Sequence, residues 1–90
     1  MQSNDLKAIT GAQLRAARAL LRWSAEELAQ KTKVGIATLR RAENVDGAIA
    51  MTAANQAIVR STLEQAGVIF VEENGEGPGV RLRKGSGAKV

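Results

Sequence analysis

SAEELAQKTKVGIATLRRAE, residues 24–43, reads as two short helices joined by a tight turn. Ser24 followed three residues later by Glu27 is a capping-box pattern, in which the hydroxyl takes a free backbone N–H of the first turn and the carboxylate reaches back. A helix is therefore expected over 24–32, with Leu28 and Ala29 on its apolar side and a polar run from Lys31 to Lys33. Val34-Gly35 interrupts the periodicity with one core-type residue and one suited to a turn. The second helix runs from Ile36 to about Asn44. Leu39 and Ala42, three apart, share one face with Glu43 beside them, whereas Ala37 and Arg41 point the opposite way, flanked by Arg40 and Thr38. A face of Leu and Ala opposed by small residues and two arginines suits a helix held against a core and offered to a polyanion.

The run Leu28-Ala29, three residues, Lys33-Val34-Gly35, three residues, Leu39 and then Glu43 resembles the helix-turn-helix of the phage lambda repressor and Cro family, the Xre-type regulators. The resemblance covers roughly residues 10–66. Lys33 and Gly35 depart from the family's usual pattern, which has Gly in the turn and Ser or Thr at the start of the second helix. What the resemblance implies is a mainly α fold, a four-helix lambda-repressor-like DNA-binding domain. In that geometry the second helix enters the major groove and the preceding one lies across the backbone. Carried over position by position, Ile36, Ala37, Thr38, Arg40 and Arg41 face the bases. Either arginine is suited to guanine O6 and N7, and Ile36, Ala37 or Thr38 to a thymine methyl. Ser24 and Ala25 lie against phosphate through backbone N–H groups, with Arg22, Lys31, Lys33 and Gly35 as further phosphate-facing positions. The family also pairs the residue at position 18 with the carboxylate matching Glu43, so an Arg18–Glu43 ion pair of structural role is expected, locking the first helix to the recognition helix.

Composition sets the limits on either reading. Ninety residues leave room for one small domain. With no Cys, no disulfide or thiolate metal site staples it, and with no His the commonest general base and metal ligand is missing. One Trp and one Phe leave the core to Leu, Ile, Val and Ala, so a small helical core supported by a partner subunit is expected. Net charge is +4 and the pI near 10.1. Arg15, Arg18, Arg22, Lys31, Lys33, Arg40 and Arg41 face only Glu26, Glu27 and Glu43 between residues 10 and 44, so that window holds the whole excess. Such a concentration is the electrostatic footprint expected for nucleic acid, although small domains also carry surplus cations on a solvated surface. No apolar run approaches the ~20 residues of a membrane span and Met1 to Ile9 has no signal-peptide core, so a cytoplasmic location is expected, nucleoid-associated when bound.

Taken in order, residues 1–9 read as a flexible arm in which Lys7 is able to reach a phosphate. Thr10 or Gly11 caps a first helix over about 10–22, with Leu14, Ala17 and Leu21 as its stripe, Arg18 at the stripe's edge, and Arg15, Ala19 and Arg22 turned away. Trp23 covers the core at the corner. Residues 44–51 read as a loop with Val45 and Ile49 packed beneath. A fourth helix over about 52–66 places Val59, Leu63 and Ala66 inward with Ile58 and Thr62 beside them, and Gly67 ends it. Residues 67–83 change period: Val68-Ile69-Phe70-Val71, a Gly- and Pro-rich loop, then Val80-Arg81-Leu82-Arg83 read as two strands. Two strands alone are marginal, so this pair is the expected dimer interface, through Val68, Phe70, Val71, Val80 and Leu82, by strand addition or face packing. Arg81 and Arg83 then project into solvent, and 84–90 is a flexible basic tail.

The expected function is sequence-specific binding of double-stranded DNA by a homodimer on a two-fold or near two-fold operator, regulating transcription, as a repressor. The alternative is an antitoxin or anti-regulator module that binds another regulatory protein through its C-terminal strands. No nucleophile–base pair, phosphate-cradling loop or metal cluster supports catalysis; Glu26-Glu27 and Glu72-Glu73 read as exposed acidic pairs. No cofactor, no metal and no membrane partner is expected.

Overall fold

A computed structural model describes residues 8–85. It is mainly helical: α1 (Gly11–Leu21), α2 (Ala25–Thr32), α3 (Ile36–Glu43) and α4 (Ala53–Gln65), followed by a two-stranded antiparallel sheet of β1 (Val68–Val71) and β2 (Gly79–Leu82). The strands pair Val68 with Leu82, Ile69 with Arg81, Phe70 with Val80 and Val71 with Gly79. The arm before residue 8 and the tail after residue 85 lie outside the described residues. Among the described residues no helix is long and apolar enough to cross a membrane.

Local chemistry starts α1, α2 and α4 where the spacing places them. Thr10 caps α1 and Ser24 caps α2, each in a full capping box with the residue three positions on, Gln13 and Glu27. Thr52 caps α4 through the Asn55 N–H at 3.1 Å. Gly67, at φ +113, follows α4 and donates its N–H to the Glu64 carbonyl, the turn that sends the chain into β1.

One core gathers Leu14, Ala17 and Leu21 from α1, Leu28 from α2, Leu39 and Ala42 from α3, Val59 and Leu63 from α4, and Val68 and Phe70 from β1. α1 packs on α3 and on both strands, α2 on α3 and α4, and α4 on β1. Trp23, half-buried, packs against this core at the α1–α2 corner.

Several expectations are corrected. Ile9, assigned to the flexible arm, is 1% exposed and belongs to the core. It precedes the Thr10 cap, the place from which an apolar residue staples onto the helix position of Leu14. Val45, expected to pack beneath the loop, is exposed, while Ile49 alone of the loop pair is buried; Ile58, read beside the inward stripe of α4, is exposed as well. Thr32, in the run read as polar, is buried: its hydroxyl donates to the Leu28 carbonyl at 2.7 Å and accepts the Val34 N–H at 3.2 Å. Val68 and Phe70, expected at a dimer interface, are buried in the protomer's own core, and Val80 and Leu82 pack partly against it. Alternation along the strands is the reason. The face that carries Val68, Phe70, Val80 and Leu82 is one face of the hairpin, and α1 and α4 already cover it.

Candidate nucleic-acid interface

α2 leaves its cap with both polar ends satisfied. The Ser24 Oγ accepts the Glu27 N–H at 3.0 Å and the Glu27 Oε1 accepts the Ser24 N–H at 2.8 Å. Ala25 turns its methyl into the protein, so what it offers a ligand is backbone. α2 stops at Lys33, which adopts the left-handed conformation at φ +65 and donates its N–H to the Ala29 carbonyl. The strained position of the turn thus falls on Lys33. Gly35, expected to use glycine's freedom there, has an ordinary φ of −59 and serves as the N-cap of α3 without a side-chain acceptor. Buried Val34 and the two Thr32 hydrogen bonds fix the turn from below.

α3 is held by Leu39 and Ala42, at 0% and 1% exposure. Opposite them Ala37, Arg40 and Arg41 are exposed, with Ile36 and Thr38 half-buried at the margins. The far end of α3 is clamped twice from α1. Arg18 forms a two-pronged pair with Glu43, Nε to Oε2 at 2.8 Å and Nη2 to Oε1 at 2.6 Å, and its Nη1 donates to the Trp23 carbonyl. The hydrogen bond to Glu43 raises the Arg18 pKa above its ordinary value against the opposing effect of burial, and the charges of Glu43 and Glu26 add to it. Arg15 donates to the Glu43 and Val45 carbonyls, at 2.7 and 3.1 Å, and pairs with Asp46. The last carbonyl of α3, that of Glu43, is thereby covered by a cation, the favourable sign for a helix C-terminus.

The two arginines of α3 differ. Arg40 forms an ion pair with Glu26 in the first turn of α2, whereas Arg41 has no hydrogen bond or ion pair among the described residues. Glu26 is a functional candidate that sequence reading passed over as one of two exposed acids, because only the angle between α2 and α3 brings it to Arg40. Between residues 10 and 44 each carboxylate is engaged: Glu26 by Arg40, Glu27 by the Ser24 N–H and Glu43 by Arg18. The cations of that window left without a carboxylate, among the described residues, are Arg22, Lys31, Lys33 and Arg41. All four are exposed. Lys33 sits in the turn before α3, whereas Arg22 and Lys31 end α1 and α2, Lys31 with its ammonium 4.8 Å from the Trp23 ring centre.

Together these elements present a rigid helix with one outward face, unpaired positive charge and no unpaired carboxylate, an arrangement chemically suited to a polyanion. Among the described residues no group of His, Cys, Asp or Glu is placed to hold a metal ion. No protein-family model matches the chain, and no curated protein is significantly similar to it.

Proposed function

We propose that the chain is a sequence-specific double-stranded DNA-binding regulator with a lambda-repressor-like, Xre-type helix-turn-helix, acting as a homodimer on a two-fold or near two-fold site as a repressor. The observation that carries the reading is α3: Leu39 and Ala42 anchor one side while Ala37 and Arg41 remain uncovered on the other. With α3 in a major groove, Arg41 reaches base edges, Ala37 and Thr38 lie where thymine methyls sit, and the N–H groups at the start of α2 meet phosphate. Arg40, paired with Glu26, is held in a defined direction before contact, which lowers the ordering cost of using it. Lys33 supplies a phosphate contact beside the start of α3.

The test is selection of duplexes from a random pool by the purified chain, followed by titration of the enriched sequence and a scrambled one at fixed salt. The reading expects a shared motif, and an affinity for it well above that for the scrambled duplex. Equal binding to both, with a steep salt dependence, would reduce the function to non-specific polyanion binding.

A further inference from the structure

The outer edge of β2 in the hairpin is open, and the charge around that strand has a direction. Arg83 donates its N–H to the Gly67 carbonyl at 2.7 Å, which makes Gly67 and Arg83 a hydrogen-bonded pair. Antiparallel alternation then makes Ile69–Arg81 and Val71–Gly79 hydrogen-bonded pairs as well. It turns the N–H and C=O groups of Val80 and Leu82 outward along the far edge of β2. Among the described residues no hydrogen bond reaches those groups. Packing through the face of Val68 and Phe70 is closed as a route to association, since both lie inside the protomer. The β2 edge offers unpaired backbone groups as another route.

The loop that enters β2 carries Glu72, Glu73 and Glu76, of which Glu73 accepts the loop's own Gly75 and Gly77 N–H groups, and the strand leaves through Arg81, Arg83 and Lys84. One end is acidic and the other basic. An antiparallel strand of the same polarity meets both ends favourably, and a second copy of β2 supplies one by symmetry. A two-fold axis at Val80 sets Arg81 opposite Gly79 of the second copy, avoiding two facing arginines, and turns the strand exit that carries Arg83 and Lys84 toward the second copy's entry loop with Glu76.

We propose that the β2 edge is the homodimer surface, joined antiparallel to β2 of a second copy to give a continuous four-stranded sheet. This deepens the homodimeric part of the proposed function and rests on that reading only for the use to which the dimer is put. The added strands cover an edge that is otherwise a template for indiscriminate pairing and extend a sheet that is marginal at two strands.

Sedimentation equilibrium of the full chain, with Arg83→Glu/Lys84→Glu and Glu76→Lys variants, tests it. These side chains are exposed, so the variants keep the fold, which circular dichroism checks. Wild type is expected to dimerise, each variant about tenfold more weakly, and an equimolar mixture of the two variants to recover the association, because opposite charges then face across the edge. A monomeric wild type, variants that dimerise like wild type, or a mixture that does not recover overturns the proposal. Binding of the same proteins to single and double half-sites separates the two claims. A chain that prefers its half-site but dimerises elsewhere sinks the edge and spares the DNA reading; one that dimerises through the edge but has no duplex preference does the reverse.

Discussion

Arg18 on α1 grips Glu43 at the end of α3 through two parallel hydrogen bonds of 2.8 and 2.6 Å, so the helix that offers Arg41 outward is fastened to the scaffold at its last residue. Glu43 is 10% exposed and Arg18 24%, which places the pair near the buried limit, with some discount for water at the arginine. Glu43→Gln should cost about 3 kcal/mol, read from urea denaturation, because it leaves a partly buried guanidinium without its counter-charge and sets an amide NH2 against one of its N–H groups. A pKa raised in the folded state contributes stability that is fully present below the unfolded value and lost only as pH rises through the folded one. For an arginine that window is strongly alkaline, so the Arg18 contribution should be flat through neutral pH.

Gly11 marks the closest approach of α1 to the end of α3. A methyl placed there would stand 1.9 Å from the Val45 carbonyl oxygen and 2.6 Å from that of Ala42. Both are backbone, so neither can swing aside. The contact also carries hydrogen bonds, from the Gly11 N–H to the Gly47 carbonyl and from the Ala12 N–H to that of Asp46. Despite alanine's better helix propensity, Gly11→Ala should destabilise by about 2–3 kcal/mol through overpacking, with faster amide exchange at Gly11 and Ala12 as its local signature.

Arg40 and Arg41 should separate in binding assays. Arg41→Ala is expected to lose ~1–3 kcal/mol on the preferred duplex and relax the preference at one base position; equal weakening on every duplex would assign it to phosphate instead. Glu26→Gln frees Arg40 and removes a carboxylate from the approach to DNA. Non-specific affinity should rise, and the logarithmic salt slope should steepen by about one.

Lys33 holds a left-handed backbone that an L side chain adopts at a cost of ~1–2 kcal/mol, part of which glycine gives back through its freer unfolded chain. Lys33→Gly should therefore stabilise the fold by about 0.5–1 kcal/mol in thermal or chemical denaturation. The same change removes a cation beside α3. Stability and duplex affinity should move in opposite directions, and parallel losses would show that the lysine side chain supports the turn.

What the sequence by itself determined is everything set within one or two helical turns. Ser24 with Glu27 starts α2, Leu39 and Ala42 three apart choose the buried side of α3, and the change of period at Val68 starts the hairpin, because hydrogen-bond caps and side-chain spacing act on near neighbours. Arg18 with Glu43 was legible too, but only through the resemblance of the motif. Tertiary structure alone decided that Arg40 is spoken for by Glu26 while Arg41 has no partner among the described residues, that Arg15 covers the last carbonyl of α3, and that Gly11 is a point of backbone contact. It also took Ile9 out of the arm and Val68 and Phe70 out of the dimer interface. Each of these depends on the angle and distance at which two elements distant in the chain meet. Residue spacing along one element carries no record of that angle, since it is fixed by how all the buried faces close on one another at once.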